Sequence, residues 1–260
     1  MVMIEEYVHV PVCKAAVEDD TIFDNFKQDQ NFTTILEHTG SGNSHIFLQN
    51  AINKYPDIIQ KIDWKAIKKN DSVGNASLEQ YNELSSLIKL DDYLFSPSTI
   101  AYVFKALDIL NHIKESSIVN ARILEIGGGY GGQAKTIYDI HQLFEINIES
   151  YTIIDLHWPT QLQKKYLNRL GYNEINFISY EKLAGSLQEF PIDYNYLISI
   201  YALSEFDDSV KEFYINKLSN MQKYYILWNI AEVHDFFAES DITEEVPRTG
   251  PHNLLIKSGV

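Results

Sequence analysis

Apolar positions along the chain follow two rhythms, and the rhythm changes near Ser117. From Asn50 to about Leu90 they recur at helical spacing, as in Ile52, Tyr55, Ile58, Ile59, Ile62 and Trp64. The polar run Asn70-Asp71-Ser72-Val73-Gly74-Asn75 predicts a turn between helical pieces. Ser96 followed by Pro97 has the form of a helix start: a hydroxyl cap, a proline in the first turn, then Ile100, Val103, Phe104 and Leu107 on one face. Residues 1 to about 20 show no clear period and are expected to form a loosely held arm.

After Ser117 strand-like apolar runs appear at 121–126, 151–154, 175–179, 194–201, 224–228 and 253–257. Helical stretches separate them at 133–143, 160–170 and 208–221. Alternating strands and helices predict βαβ units with a parallel sheet. Runs apolar on both faces, such as Tyr196-Leu197-Ile198-Ser199-Ile200, suit a sheet covered on both sides. The expected fold class is therefore α/β, a Rossmann-like, doubly wound, mostly parallel sheet over residues 118–260. A helical N-terminal region over 1–117 precedes it.

Charge narrows the partners. Thirty-six acidic against 21 basic residues leave a net charge of −15, and Lys68-Lys69 and Lys164-Lys165 are too short to form a basic patch. A surface that must neutralise phosphates is thus not expected, which argues against nucleic acid, and an acidic protein is repelled by anionic membranes. No apolar stretch approaches the ~18 residues a membrane span needs. The start lacks the layout of a signal peptide, and the single Cys13 suits a reducing compartment, so a cytoplasmic protein is expected. The sequons at Asn31 and Asn75 then carry no consequence. A small neutral or cationic ligand is the easier partner. Nothing in the pattern bears on oligomeric state.

The candidate chemistry begins at Ile123-Leu124-Glu125-Ile126, a strand that runs straight into five glycines among the six residues 127–132. Such a turn needs positive φ and a backbone that a ligand can approach closely. The helix beginning near Gln133 points its free N–H groups at that ligand. The next strand ends in Asp155, placed to bind ribose hydroxyls. Gly127, Gly129 and Gly132 also satisfy the dinucleotide pattern G-x-G-x-x-G. Against that reading stand Glu125, two residues before the first glycine, and the E-x-G-x-G-x-G form completed by Gly127, Gly129 and Gly131. The long region ahead of the loop argues the same way.

The segment 123–138 resembles the sugar O-methyltransferase family of bacteria and some large viruses. Residues 70–75, Phe95-Ser96-Pro97-Ser98-Thr99, the strand Tyr151–Leu156, Ser199-Ile200-Tyr201-Ala202-Leu203-Ser204-Glu205 and Pro251-His252-Asn253 resemble further segments of that family, in the same order. The likeness runs from about residue 65 to the end. It implies a class I methyltransferase that uses S-adenosylmethionine, releases S-adenosylhomocysteine and modifies a sugar hydroxyl in glycan or surface-polysaccharide assembly. His157-Trp158 stands where the family usually has proline after the leucine, and Tyr201 where it tends to have asparagine. Both departures lie near the expected acceptor pocket.

In this fold ligands sit beyond the carboxyl ends of the strands. The expected cofactor contacts are Glu125, Gly127, Gly128, Gly129, Tyr130, Gly131, Gln133, Asp155, Leu156, Tyr180 and Tyr201. A hydroxyl acceptor needs a group to take its proton. Glu205 is the first candidate, with a helix-capping role as its alternative. His252 and His157 follow, the first with a structural alternative and the second with a place beside the adenosine. Trp158, Ser204 and Asn253 are the expected acceptor contacts, Trp158 being either a stacking surface or a pocket wall. Asp207 and Asp208 have the chemistry for a divalent cation, but an acidic first helical turn explains them as well, so a metal is not favoured. A methyltransferase on another small acceptor and a non-catalytic methyltransferase-like subunit are the rival readings.

Overall fold

The computed structural model describes residues 7–36, 39–185, 189–190, 193–218 and 221–259. Seven strands form one sheet: β1 Asn120–Ile126, β2 Asn147–Asp155, β3 Asn176–Ser179, β4 Tyr196–Ile200, β5 Tyr224–Trp228, β6 Asp241–Glu244 and β7 Leu254–Lys257. Their order is β3-β2-β1-β4-β5-β7-β6. The first five are parallel, whereas β7 runs antiparallel between β5 and β6. This is the doubly wound Rossmann-like sheet expected, closed at one edge by an antiparallel pair. The chain reverses its winding between β1 and β4, the point where such sheets open a ligand crevice.

Strand β6 has no counterpart in the apolar pattern. All four residues of Asp241-Ile242-Thr243-Glu244 are exposed, and pairing with β7 alone defines the strand. The polar character of this edge guards it against pairing with another chain.

The helices that position the site are α1 Val10–Glu18, α2 Ser41–Lys54, α3 Pro97–Glu115, α4 Gly132–Ile140, α5 His157–Leu170 and α6 Asp208–Lys217. Helix α3 starts as its sequence predicts: Ser96 Oγ accepts from Thr99 N at 3.1 Å, and Pro97 occupies the first turn. It is buried along most of its length and packs against α2 and α4. Two apolar clusters lie on the two faces of the sheet. One joins Ile123, Tyr151, Ile153 and Ile198 to the N-terminal helices, and the other gathers Leu124, Ile126, Ile154, Leu197 and Trp228. Strand alternation puts Glu125 on the same face as Ile123, under the N-terminal helices.

The loosely held arm is not what forms over residues 10–18. Those residues make helix α1, with Val10, Val12, Cys13 and Ala16 buried, and α1 packs against α5. Lys165 on α5 donates to the carbonyls of Ala16 and Val17 at 3.0 and 3.1 Å and pairs with Asp20 at 2.7 Å. These small residues and Pro11 carry a weak helical signal by themselves, and burial against α5 supplies the stability they lack. Residues 1–6 of the expected arm lie outside the described residues.

Candidate functional site

The glycine loop gets its shape from contacts on both sides. Gly127 has φ +77°, and its amide donates to Ile154 O at 2.9 Å, tying the loop to β2. A Cβ on Gly127 would run into the Ala202 side chain just past β4. Gly131 has φ +99°, caps the start of α4, and would press a Cβ against Leu167 at 2.8 Å. Glycine at these two positions is therefore imposed by φ and by close packing together.

Over this loop opens a cavity of about 360 Å³ at the β1–β4 switch point. Glu125, Gly127, Gly128, Gly129, Gln133, Asp155, Leu156, Tyr201 and Glu205 line it. Glu125 is 1% exposed, and burial pushes its carboxyl up to about 8 against the opposing hydrogen bond from Tyr151 Oη at 2.9 Å. Asp155 is pushed up to about 7, again by burial, although Leu156 N and Gln163 Nε2 donate to it at 2.8 and 2.7 Å. Gln133 donates through Nε2 to Tyr102 O at 3.3 Å, and its buried Oε1 has no partner among the described residues. A buried, unsatisfied amide oxygen and two acids held partly neutral by burial form a polar lining prepared for a ligand.

Glu205 closes the short helical turn Ala202–Glu205 after β4 and accepts from Asn229 Nδ2 at 2.5 Å. It does not cap α6. Asp207 does so by accepting from Val210 N at 3.1 Å. Asp207 is thereby occupied, and Asp208 projects into solvent with Lys211 3.7 Å away. Among the described residues no group of three or more His, Cys, Asp or Glu is arranged to hold a metal.

Other predicted residues lie elsewhere. Tyr130 does not line the cavity. Its fully buried ring packs at 5.0 Å on Tyr166 and 5.8 Å on Tyr102, with the Lys27 ammonium 4.2 Å above it. Gly131 shapes the turn without facing the cavity. Tyr180 packs edge-on against Phe213 at 5.4 Å, on the other apolar cluster. The His157 backbone amide donates to Glu181 at 3.0 Å, and its ring leans on Trp158. Trp158 lies on the α1 side, 5.3 Å beneath Lys14, and packs, partly buried, against the core. Ser204 ties the turn to the end of β5: its Oγ accepts from Asn229 N at 3.2 Å and lies 2.6 Å from both Tyr201 O and Asn229 Oδ1, which share its one donor. Asn253 is buried and donates to Glu245 at 2.9 Å and Thr249 at 2.7 Å. His252 is exposed beside it and takes no part in the cavity. Packing or hydrogen bonding turns the side chains of Tyr130, Tyr180, Trp158, Ser204 and Asn253 away from the cavity.

The remaining wall comes from residues that motif reading overlooked. Ser98, Tyr102 and Lys105 project from α3 at helical spacing, while Tyr7, His9, Leu36 and Thr39 close the outer side. The Tyr7 hydroxyl meets the Asp207 backbone, and burial together with the Asp207 carboxylate holds its phenol above the usual range. Burial pushes the His9 imidazole down to about 4, so the ring is neutral near neutral pH. A lysine amid the otherwise apolar turn from Ile100 to Leu107 is the one sequence signal that marks this wall. Asn70, Asn75, Ser96 and Thr99 are used in turns, caps and hydrogen bonds.

No family profile and no curated protein sequence matches the chain. Among solved structures, the methyltransferase domain of the bacterial CtHen1-CN is 11% identical, with 60% of this chain and 97% of that one covered and a TM-score of 0.42. PigF with SAH is 12% identical over 85% of this chain and 78% of that one, at a TM-score of 0.40. An O-methyltransferase family protein from Burkholderia thailandensis is 14% identical over 62% and 58%, at 0.38. Among the described residues no helix is long and apolar enough to cross a membrane.

Proposed function

We propose that this chain is an S-adenosylmethionine-dependent O-methyltransferase acting on a sugar hydroxyl. The observation that carries the reading is Glu125, a buried carboxyl on the cavity wall beside the glycine loop. The pyrophosphate of a dinucleotide would lie against that acid and hold it protonated, with no use for its charge, whereas a cationic ligand would draw it into its charged form. In this reading Asp155, on the neighbouring strand, would take the ribose hydroxyls, and Gln133 Oε1 an ammonium group. S-adenosylmethionine supplies an electrophilic methyl group on a sulfonium. The chain itself must orient the acceptor, exclude water and take up the hydroxyl proton. Glu205, on the cavity wall and held by Asn229, is the proposed proton acceptor or hydroxyl-orienting group.

Support for a sugar comes from the family resemblance of residues 199–205 and 251–253. These two segments meet through Glu245, which accepts from Tyr201 Oη and from Asn253 Nδ2. Glycan assembly is the corresponding setting, and residues 1–117 act as the wall and cover of the cavity.

Calorimetry with S-adenosylmethionine, S-adenosylhomocysteine and NAD tests the cofactor. The first two are expected to bind and NAD is not; tight NAD binding, or no binding of the adenosyl compounds, overturns the proposal. Methyl transfer to a panel of free and nucleotide-linked sugars tests the acceptor. With an acceptor in hand, Glu205→Gln is expected to keep cofactor affinity within about twofold and to cut turnover ~10²-fold. Unchanged turnover would remove Glu205 from the chemistry.

A further inference from the structure

Buried charges in this fold are generally satisfied. Asp108 on α3 accepts from Tyr55 Oη at 2.8 Å and Tyr225 Oη at 3.0 Å and pairs with Lys54. Lys135 pairs with Asp139 at 2.5 Å and donates to Ala66 O. Lys27 donates to Asn70 O at 2.7 Å.

Lys105, one turn before Asp108 on the same helix, is different. It is 7% exposed and lines the cavity, yet it has no hydrogen bond and no ion pair among the described residues. Its ammonium lies near two aromatic faces, with the Tyr201 ring centre 5.1 Å and the Phe47 ring centre 5.5 Å away. Glu245 is the carboxylate that acts on it, but Glu245 is already engaged by Tyr201 Oη, Thr249 N, Thr249 Oγ1 and Asn253 Nδ2. Burial holds the amine below the usual lysine range, with Glu245 opposing. An arriving anion would favour the charged form.

Gln133 is incomplete in the complementary sense. Its Oε1 is a buried acceptor with no donor, and its Nε2 is anchored to the carbonyl of Tyr102, three residues before Lys105 on α3. A bare amide oxygen takes an ammonium and a bare ammonium takes a carboxylate. Lining one cavity, and linked through Tyr102 on α3, they match an α-amino acid, whose two charges are carried on one carbon.

We infer that Lys105 binds the α-carboxylate at the amino-acid end of the cofactor, while Gln133 Oε1 receives its ammonium. The inference rests on the S-adenosylmethionine reading above. An ammonium reserved for an anionic acceptor, or a neutral amine serving as the base, would leave cofactor affinity unchanged.

The test compares two ligands that share the adenosine and the thioether. S-adenosylhomocysteine carries the amino-acid end, and 5′-methylthioadenosine lacks it. Calorimetry on the wild-type chain and on Lys105→Met, which keeps the apolar stem, is expected to show S-adenosylhomocysteine weakened about 30–100-fold. Methylthioadenosine is expected to stay within about twofold, which also reports that the cavity has folded. Gln133→Leu is expected to show the same selectivity at about tenfold. Unchanged S-adenosylhomocysteine affinity, or equal weakening of both ligands, overturns the inference. A wild-type chain that binds neither ligand overturns the S-adenosylmethionine reading itself.

Discussion

The two walls of the cavity are built by different means. The sheet-side wall consists of strand ends and a glycine loop, where Glu125, Gly127 and Asp155 are fixed by parallel pairing and by one backbone hydrogen bond from Gly127 N to Ile154 O. The helical wall consists of single side chains from distant segments, Leu36, Tyr102, Lys105 and His9, each aimed by packing on α1, α2 and α3. The first wall is short-range in sequence and tolerates little change of shape. The second is assembled over long range, so its parts can be removed singly with local consequences. Backbone geometry thus shapes the cavity on one side, and side-chain chemistry shapes it on the other.

Gly127→Ala is the most damaging way to break this division. A methyl group there meets Ala202 while φ remains at +77°, so the loop must move away from β4. A loss of about 2–4 kcal/mol in stability and of at least ~10²-fold in S-adenosylhomocysteine affinity is expected, read by urea melts and calorimetry.

Glu125→Gln sharpens the contrast, because it alters charge and leaves shape unchanged. A carboxyl raised to about 8 in the folded chain holds its proton there, while the unfolded chain releases it near the ordinary glutamate range. Folding then binds a proton between about pH 4.5 and 8, so the ligand-free wild type loses stability as pH rises through that window and levels off above it. Asp155, raised to about 7, adds to the same slope. Glu125→Gln is expected to match wild type near pH 5 and to exceed it at pH 8 by a few kcal/mol, on the order of 4 at most, in denaturant melts without ligand. It should also bind S-adenosylmethionine more weakly at pH 8. Parallel stability curves for the two proteins would show that burial does not hold Glu125 protonated.

The smallest effect expected is at His252. The residue is exposed and lies off the cavity wall, so His252→Ala should leave stability within about 0.5 kcal/mol and turnover within about twofold. A large loss of turnover would bring His252 back as a base and would mean that the 246–253 loop folds inward during the reaction.

Residues 118–257 were legible because strands apolar on both faces and a glycine loop are local patterns. Hydrophobic period and positive φ leave their mark on neighbouring residues, and so the parallel strands, the loop, Glu125 and Asp155 fall where the pattern predicts. Strand β6 was hidden because its residues are exposed and only β7 makes it a strand. Helix α1 was hidden because its small buried residues acquire their partners only when α5 folds beside them. The sequence determined which strand ends carry acids and which turn must be glycine. It also brought Glu205, Ser204, Trp158 and Asn253 to the correct end of the sheet. Only the tertiary structure decided which of those side chains reach the cavity, because a side chain's direction depends on what packs around it. Glu205 faces in. Ser204 and Asn253 are consumed by hydrogen bonds, Trp158 is covered by α1, and Lys105 is brought onto the wall of the cavity by the helices that surround it.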